Sequence, residues 1–269
     1  GFTRPADIDF NAIDGYVDYR LEVDKVANAT VKYELAILKR GFSLARSILA
    51  RIPDFPTIST ENVRTGFFEE NEVTPFLAKF EPEVRPAIKF GYLTGWRLKS
   101  EVFSLTWPQV DFRAGEVRLE PGTTKNKDGR TFPFSVLPEL EELLTAQKEY
   151  TDRIRRERNM IIPWVFHRAG RQIRSIRGAW RKALEESKIG HKIPHDFRRT
   201  AVRNLERAGV PRSVAMKLVG HKTEAIYRRY AIVGGNDLVD GMKRLAAYRE
   251  SLRSEEAKVV PIAKKEDAG

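Results

Sequence analysis

The sequence predicts a mainly α fold with one small antiparallel β-sheet, an α+β chain in two parts. Three observations lead there. Apolar residues recur at three-four spacing through most of the chain, the spacing drops towards two between residues 110 and 136, and a proline-containing stretch at 51–60 interrupts the helical pattern early. A chain of 269 residues is long enough to bury a separate core in each part.

Residues 12–27 and 28–50 each read as a helix; in the second, Ala29, Tyr33, Ala36, Ile37, Phe42 and Ala45 keep an approximate three-four rhythm. Together they imply a small helical unit. Pro53 and Pro56 oppose helix and favour an extended linker, which puts a boundary between about residues 51 and 63. The expected organisation is a helical domain over 1–60, a larger domain over 61–250 and a flexible tail over 251–269. In the larger domain 69–79 and 82–94 read as helices, and Gly95 follows the second where a left-handed residue is usual. Val117, Leu119, Phe132 and Phe134 then alternate with polar neighbours around turns at Ala114-Gly115 and Lys127-Asp128-Gly129, which predicts antiparallel strands. From Leu137 the pattern is helical again, with breaks near Pro163, Gly170, Gly190, Gly209, Gly220 and Gly234-Gly235.

Composition narrows the chemistry. The chain has no cysteine, so disulfides, thiol nucleophiles and cysteine-ligated zinc are excluded. It has no run of about 18 apolar residues and no charged-then-apolar leader, so a soluble, intracellular protein without a membrane partner is expected. A net charge of +11 and a pI near 9.8 point to a polyanionic partner. Residues 1–60 carry eight basic and eight acidic side chains, and 251–269 four of each, so the excess is internal. It lies in 151–182, with ten basic and two acidic residues, and in 195–230, with nine and three. The two blocks read as a phosphate-binding surface, with solvated helix faces as the alternative.

The reactive groups are read from the second block. His195-Asp-Phe-Arg198 follows Pro194 and opens a helix whose Ala201, Val202, Leu205 and Ala208 form one face. Residues three apart point the same way, so the His195 imidazole and the Arg198 guanidinium can meet one phosphate at the positive end of the helix. Gly209-Val-Pro211, a second helix to about Val219 and the pair Gly220-His221 come next. Tyr230 lies nine residues past His221 and follows Arg228 and Arg229, while Tyr227 could pack inward as a core aromatic.

The run from His195 to Tyr230 resembles the second conserved box of the tyrosine recombinases, or phage-type integrases. Thr94-Gly-Trp-Arg-Leu-Lys-Ser-Glu-Val-Phe-Ser-Leu-Thr-Trp107 resembles that family's first box, in which an arginine just after a Thr-Gly turn clamps the scissile phosphate; Arg97 holds that place. Thr124-Lys-Asn-Lys-Asp-Gly-Arg-Thr-Phe-Pro133 resembles the hairpin that bears the catalytic lysine, with Lys125 a better match than Lys127. Residues 28–50 resemble the end of the helical core-binding domain, and the likeness covers most of residues 10–250. In many members a glutamate stands three residues after the first arginine. Here Glu101 stands four after Arg97, as though the turn carried one extra residue. The chain opens at Gly1 without the arm-type DNA-binding domain many phage integrases place first, which leaves room for truncation at that end.

The resemblance implies the tyrosine recombinase catalytic fold behind a small helical domain. It also implies a site-specific recombinase that cleaves and rejoins DNA through a 3′-phosphotyrosyl intermediate, integrating or excising a mobile element. Tyr230 is the expected nucleophile, with Arg97, Lys125, His195, Arg198 and His221 around it. Arginines fit the task because a planar guanidinium binds phosphate oxygens bidentately and keeps its proton, so no metal and no ATP are expected. A phenol with an ordinary pKa of about 10 needs a base, and His195 is the plausible acceptor. The leaving 5′ oxygen needs a proton, the role the family gives to the Lys125 position. The expected partner is double-stranded DNA with specific recombination sites, bound by a homo-tetramer, with a directionality factor besides. The expected location is the cytoplasm, at a bacterial nucleoid or in a phage-infected host. Residues 236–252, with Leu238, Met242, Leu245 and Ala246 on one face, either reach a neighbouring protomer or pack on their own domain. Two other readings remain: a type IB topoisomerase-like enzyme that relaxes DNA, and a non-catalytic DNA-binding regulator with the same fold.

Overall fold

The computed structural model describes residues 4–49, 51–60, 66–122, 129–228 and 235–256. The chain forms two compact units, residues 1–64 and 65–269. In the first, α1 (Phe10–Asp18) runs on into a π-helical turn over Tyr19–Val23, and α2 (Asn28–Leu44) follows. Asp9 caps α1 by accepting from the Ala12 amide at 2.9 Å. Ile13 and Val17 of α1 bury against Val31 and Leu35 of α2. Ile58 and the partly buried Phe55 join them, so the proline stretch is less free than a linker. Its prolines keep it out of helix, but its side chains complete this small core and Ser59 accepts from Asn28 Nδ2 at 3.1 Å.

The second unit opens with α3 (Glu70–Leu77), started by a reciprocal capping box between Glu69 and Glu72, and α4 (Arg85–Thr94). Three short strands, β1 (Val110–Asp111), β2 (Glu116–Leu119) and β3 (Arg130–Pro133), pair antiparallel in that order. Val117 stands opposite Phe132, and Val117, Leu119 and Phe134 are buried, as their alternation predicts. The expected Lys127-Asp128-Gly129 turn, including Lys125 just before it, falls mostly outside the described residues.

Beyond α5 (Pro138–Arg158) the pattern is not helical throughout. A hairpin of β4 (His167–Arg168) and β5 (Arg171–Gln172) turns on Ala169 and Gly170, both at positive φ. Strands of two residues are too short to show a period, which is why only the break at Gly170 was readable. Then come α6 (Arg177–Ser187), α7 (His195–Arg207), α8 (Arg212–Val219), α9 (Glu224–Arg228) and α10 (Gly235–Glu256). Helix α10 continues past Ser251, where the sequence reading starts its tail, and Val239, Met242, Leu245 and Tyr248 on it are exposed.

One apolar core holds the unit together. Phe68, Phe76 of α3, Trp180 of α6 and Phe197 of α7 meet at ring-centroid distances of 4.6 to 6.3 Å, mostly in tilted or edge-on geometry that suits ring quadrupoles. Helix α7 therefore has its Phe197 face sunk in the main core while Val202 joins a second cluster with Ala215, Val219 and Tyr227. Between those two anchors lies Arg198.

Candidate active site

Arg97 is set by the end of α4. Gly95 takes φ +66°, and a Cβ there would stand 2.7 Å from the Ala201 Cβ of α7, so both conformation and close approach require glycine. Immediately after it, Leu98–Val102 form a π-helical turn, with Val102 N–H bonded to the Arg97 carbonyl and Phe103 N–H to that of Leu98. This turn holds the extra residue between Arg97 and Glu101, and it brings the carboxylate back onto its own start. Glu101 Oε1 accepts from Arg97 Nη1 at 2.6 Å, and Oε2 accepts from the Arg97 amide at 2.8 Å. Glu101 is fully buried. Burial alone would raise its pKa, but the guanidinium of Arg130, the Arg97 amide and the Arg97 charge outweigh that and hold it below the usual carboxylate range.

Arg198 is 2 % exposed, an expensive place for a charge unless its donors are met. Its Nη1 donates to the Gly95 carbonyl at 3.1 Å, its Nη2 to the Gly220 carbonyl at 2.9 Å and its Nε to His221 Nε2 at 2.9 Å. Gly220 ends α8 at φ +72°, and the amides of Gly220 and His221 both bond the Met216 carbonyl, so the chain turns sharply and aims His221 back at Arg198. An arginine only donates. His221 Nε2 is therefore the acceptor, and the neutral ring carries its hydrogen on Nδ1.

Both histidines are held neutral. Burial, then the charges of Arg198 and Arg97, lower His221 to about 3, and the same causes with Arg199 lower His195 to about 4. The two differ in access: His221 is 8 % exposed, whereas His195, first residue of α7, is exposed, and bulk water there counters part of its shift. Asp196 beside it is buried and accepts from the Ile193 amide at 2.8 Å, fixing the start of α7.

Four of the six expected site residues, Arg97, His195, Arg198 and His221, thus come together from the α4 turn, α7 and the end of α8. Lys125 and Tyr230 lie outside the described residues. Tyr227 is fully buried in the cluster of Val202, Ala215 and Val219, and burial, with the Glu206 carboxylate, raises its phenol pKa. Sequence reasoning assigned nothing to Arg130, although it lies in the hairpin motif; its guanidinium bonds Glu101 Oε2 at 2.5 Å. Among the described residues no group of three or more histidine or carboxylate side chains is placed to hold a metal ion.

The basic blocks are less uniform than their counts. In the first, Arg153, Arg155, Arg168, Arg181 and Lys182 pair with carboxylates. Arg171, Arg174 and Arg177 are exposed and carry no ion pair among the described residues. No described helix is long and apolar enough to cross a membrane.

The phage integrase family model matches residues 67–234. No curated protein sequence matches the chain. Among solved structures it is similar to the Tn1549 transposon integrase in complex with transposon right-end DNA, at 18% identity over 90% of this chain and 87% of that one, TM-score 0.67. It is similar to a lambda integrase dimer bound to a COC′ core site at 17% identity, covering 87% and 83%, TM-score 0.66. It is also similar to the XerH site-specific recombinase bound to difH substrate in a pre-cleavage complex, at 16% identity, covering 90% and 72%, TM-score 0.64. At these identities the structural likeness concerns the fold.

Proposed function

Because the chain belongs to the phage integrase family, we propose that it is a site-specific DNA recombinase that cuts and rejoins strands through a phosphate ester on Tyr230, integrating or excising a mobile element. The observation that carries this reading is the convergence of Arg97, Arg198 and two neutral imidazoles on one small region of the second unit. In the reaction Tyr230 Oη attacks the phosphorus and the bond to the 5′ oxygen breaks. Negative charge grows on the non-bridging oxygens. Arg97 and Arg198 neutralise it without a metal, and His221 donates from Nδ1. Neutral His195 can take the phenol proton, and Lys125 delivers one to the leaving oxygen. The new ester keeps the energy of the old one, so a second 5′ hydroxyl reverses the step and no ATP is consumed.

Arg171, Arg174 and Arg177 are proposed to meet backbone phosphates, and assembly on paired sites is proposed to be tetrameric, assisted by a directionality factor. The solved relatives that carry DNA, one of them as a dimer, support DNA binding and assembly. Incubation with a nicked suicide duplex tests the nucleophile: Tyr230→Phe should abolish the covalent adduct and keep DNA binding, whereas Tyr227→Phe should keep both. Adducts that survive Tyr230→Phe sink the assignment, and vigorous relaxation of plasmid lacking any recombination site would favour a topoisomerase. Sequencing the DNA attached to wild-type adducts identifies the site.

A further inference from the structure

Arg130 begins β3, outside every role given above, and its side chain is only 8 % exposed. A guanidinium so placed must be held by specific partners. Nη2 donates to Glu101 Oε2 at 2.5 Å, Nη1 donates to the Val219 carbonyl at 2.9 Å, and the guanidinium carbon stands 4.5 Å from the centre of the Trp96 ring. These contacts join three segments: the π-helical turn after Arg97, the end of α8 just before Gly220-His221, and the residue preceding Arg97. The fit at α8 is close enough that a Cβ on Gly220 would collide with Arg130 Nη1.

The sharing of Glu101 matters most. One buried carboxylate lies between two guanidiniums, Arg97 on Oε1 and Arg130 on Oε2. If Arg130 were absent, the whole charge of Glu101 would fall on Arg97, and that carboxylate would compete with a phosphate for the same guanidinium. We infer that Arg130 is a positioning residue for Arg97: by taking half of Glu101 and tying the turn to α8, it leaves Arg97 oriented and in surplus charge for the scissile phosphate. This rests on the recombinase reading.

The test is single-turnover cleavage of a nicked duplex carrying the sequence recovered from wild-type adducts. Arg130→Gln should cleave about 100-fold more slowly, the scale of a misplaced catalytic group, with duplex affinity within about threefold of wild type, since binding is spread over many phosphates. Arg130→Lys should recover part of the loss by restoring a charge to Glu101. Adding Glu101→Gln to Arg130→Gln should cost nothing further, because the carboxylate that holds Arg97 is then neutral. A substrate whose 5′ bridging oxygen is sulfur expels a thiolate that needs no proton, so it should leave the Arg130→Gln defect in place. Cleavage near the wild-type rate, multiplying losses in the double variant, or rescue by the sulfur substrate would each overturn the inference; rescue would move the effect to the hairpin lysine. Wild-type protein that forms no adduct fails the recombinase reading instead. Urea unfolding of wild type, Arg130→Gln, Glu101→Gln and the double variant then decides: energies that add across Arg130 and Glu101 overturn the coupling, and energies that do not add support it.

Discussion

Replacing His221 by asparagine should flatten the loss of stability on acidification. The ring is 8 % exposed and its pKa falls from 6.5 to about 3, through burial first and then Arg198, Arg97, His195 and Arg130. The unfolded chain takes up a proton on His221 as pH drops below 6.5, but the folded ring does so only near 3. Inside that window the folded state binds fewer protons, so stability falls with pH by about 1.4 kcal/mol per pH unit for one histidine. Between pH 6.5 and 5 the contribution of His221 is about 2 kcal/mol. His195 and the buried His167, also lowered, act in the same direction and stay in the variant. Glu101 acts likewise but only below its ordinary pKa of 4.5. Asparagine does not titrate, and the bond it loses with Arg198 Nε adds an offset that does not vary with pH. The assay is urea unfolding of wild type and His221→Asn in steps from pH 7 to 5. The difference between them should change by about 2 kcal/mol across the window; a constant difference refutes the argument, because it would mean that the folded ring accepts a proton as readily as the unfolded one.

Two further outcomes follow from the same geometry. Gly95→Ala should cost about 1–2 kcal/mol for the left-handed residue alone and should slow cleavage at least about 10-fold, because the new Cβ pushes on Ala201 and shifts the helix that carries Arg198; loss of stability with unchanged cleavage would show that α7 can withdraw without moving Arg198. Arg174→Gln should lower the slope of log affinity against log salt by about one while weakening all duplexes alike, and an unchanged slope would remove Arg174 from the DNA surface.

How much of this was legible beforehand depends on the range of the interaction that fixes each feature. Helix α7 could be read because Pro194 and the apolar rhythm after it are local, and the αL turn at Gly95 because glycine reports its own conformation. The extra residue before Glu101 was visible as a count, but not as a π-helical turn, since one of the two guanidiniums that its carboxylate meets there comes from a distant strand. Arg130 was unreadable for a similar reason. Its partners lie 29 and 89 residues away in sequence, and nothing in its own neighbourhood distinguishes it from a solvated strand arginine. The counts of basic residues misled in the opposite direction, because side chains such as Arg155 and Arg168 are paired once the chain is folded.

The excess of cations at the site has one more consequence for the histidines. Arg97 and Arg198 both oppose protonation of His195 and His221. A general base works best when its pKa lies near the working pH, and a ring whose pKa is held below its ordinary value by burial and by the two arginines is a weaker acceptor at neutrality. A phosphodiester bound between the same arginines would bring a full negative charge to within a few ångströms of both rings. In the proposed reaction that charge would offset the guanidiniums, so the proton affinity of His195 would rise with substrate bound, and rise again as charge accumulated on the non-bridging oxygens in the transition state. The base would then be weak in the free enzyme and stronger with DNA bound, and the arginines that suppress its protonation in the absence of substrate would be those that recognise the substrate that restores it.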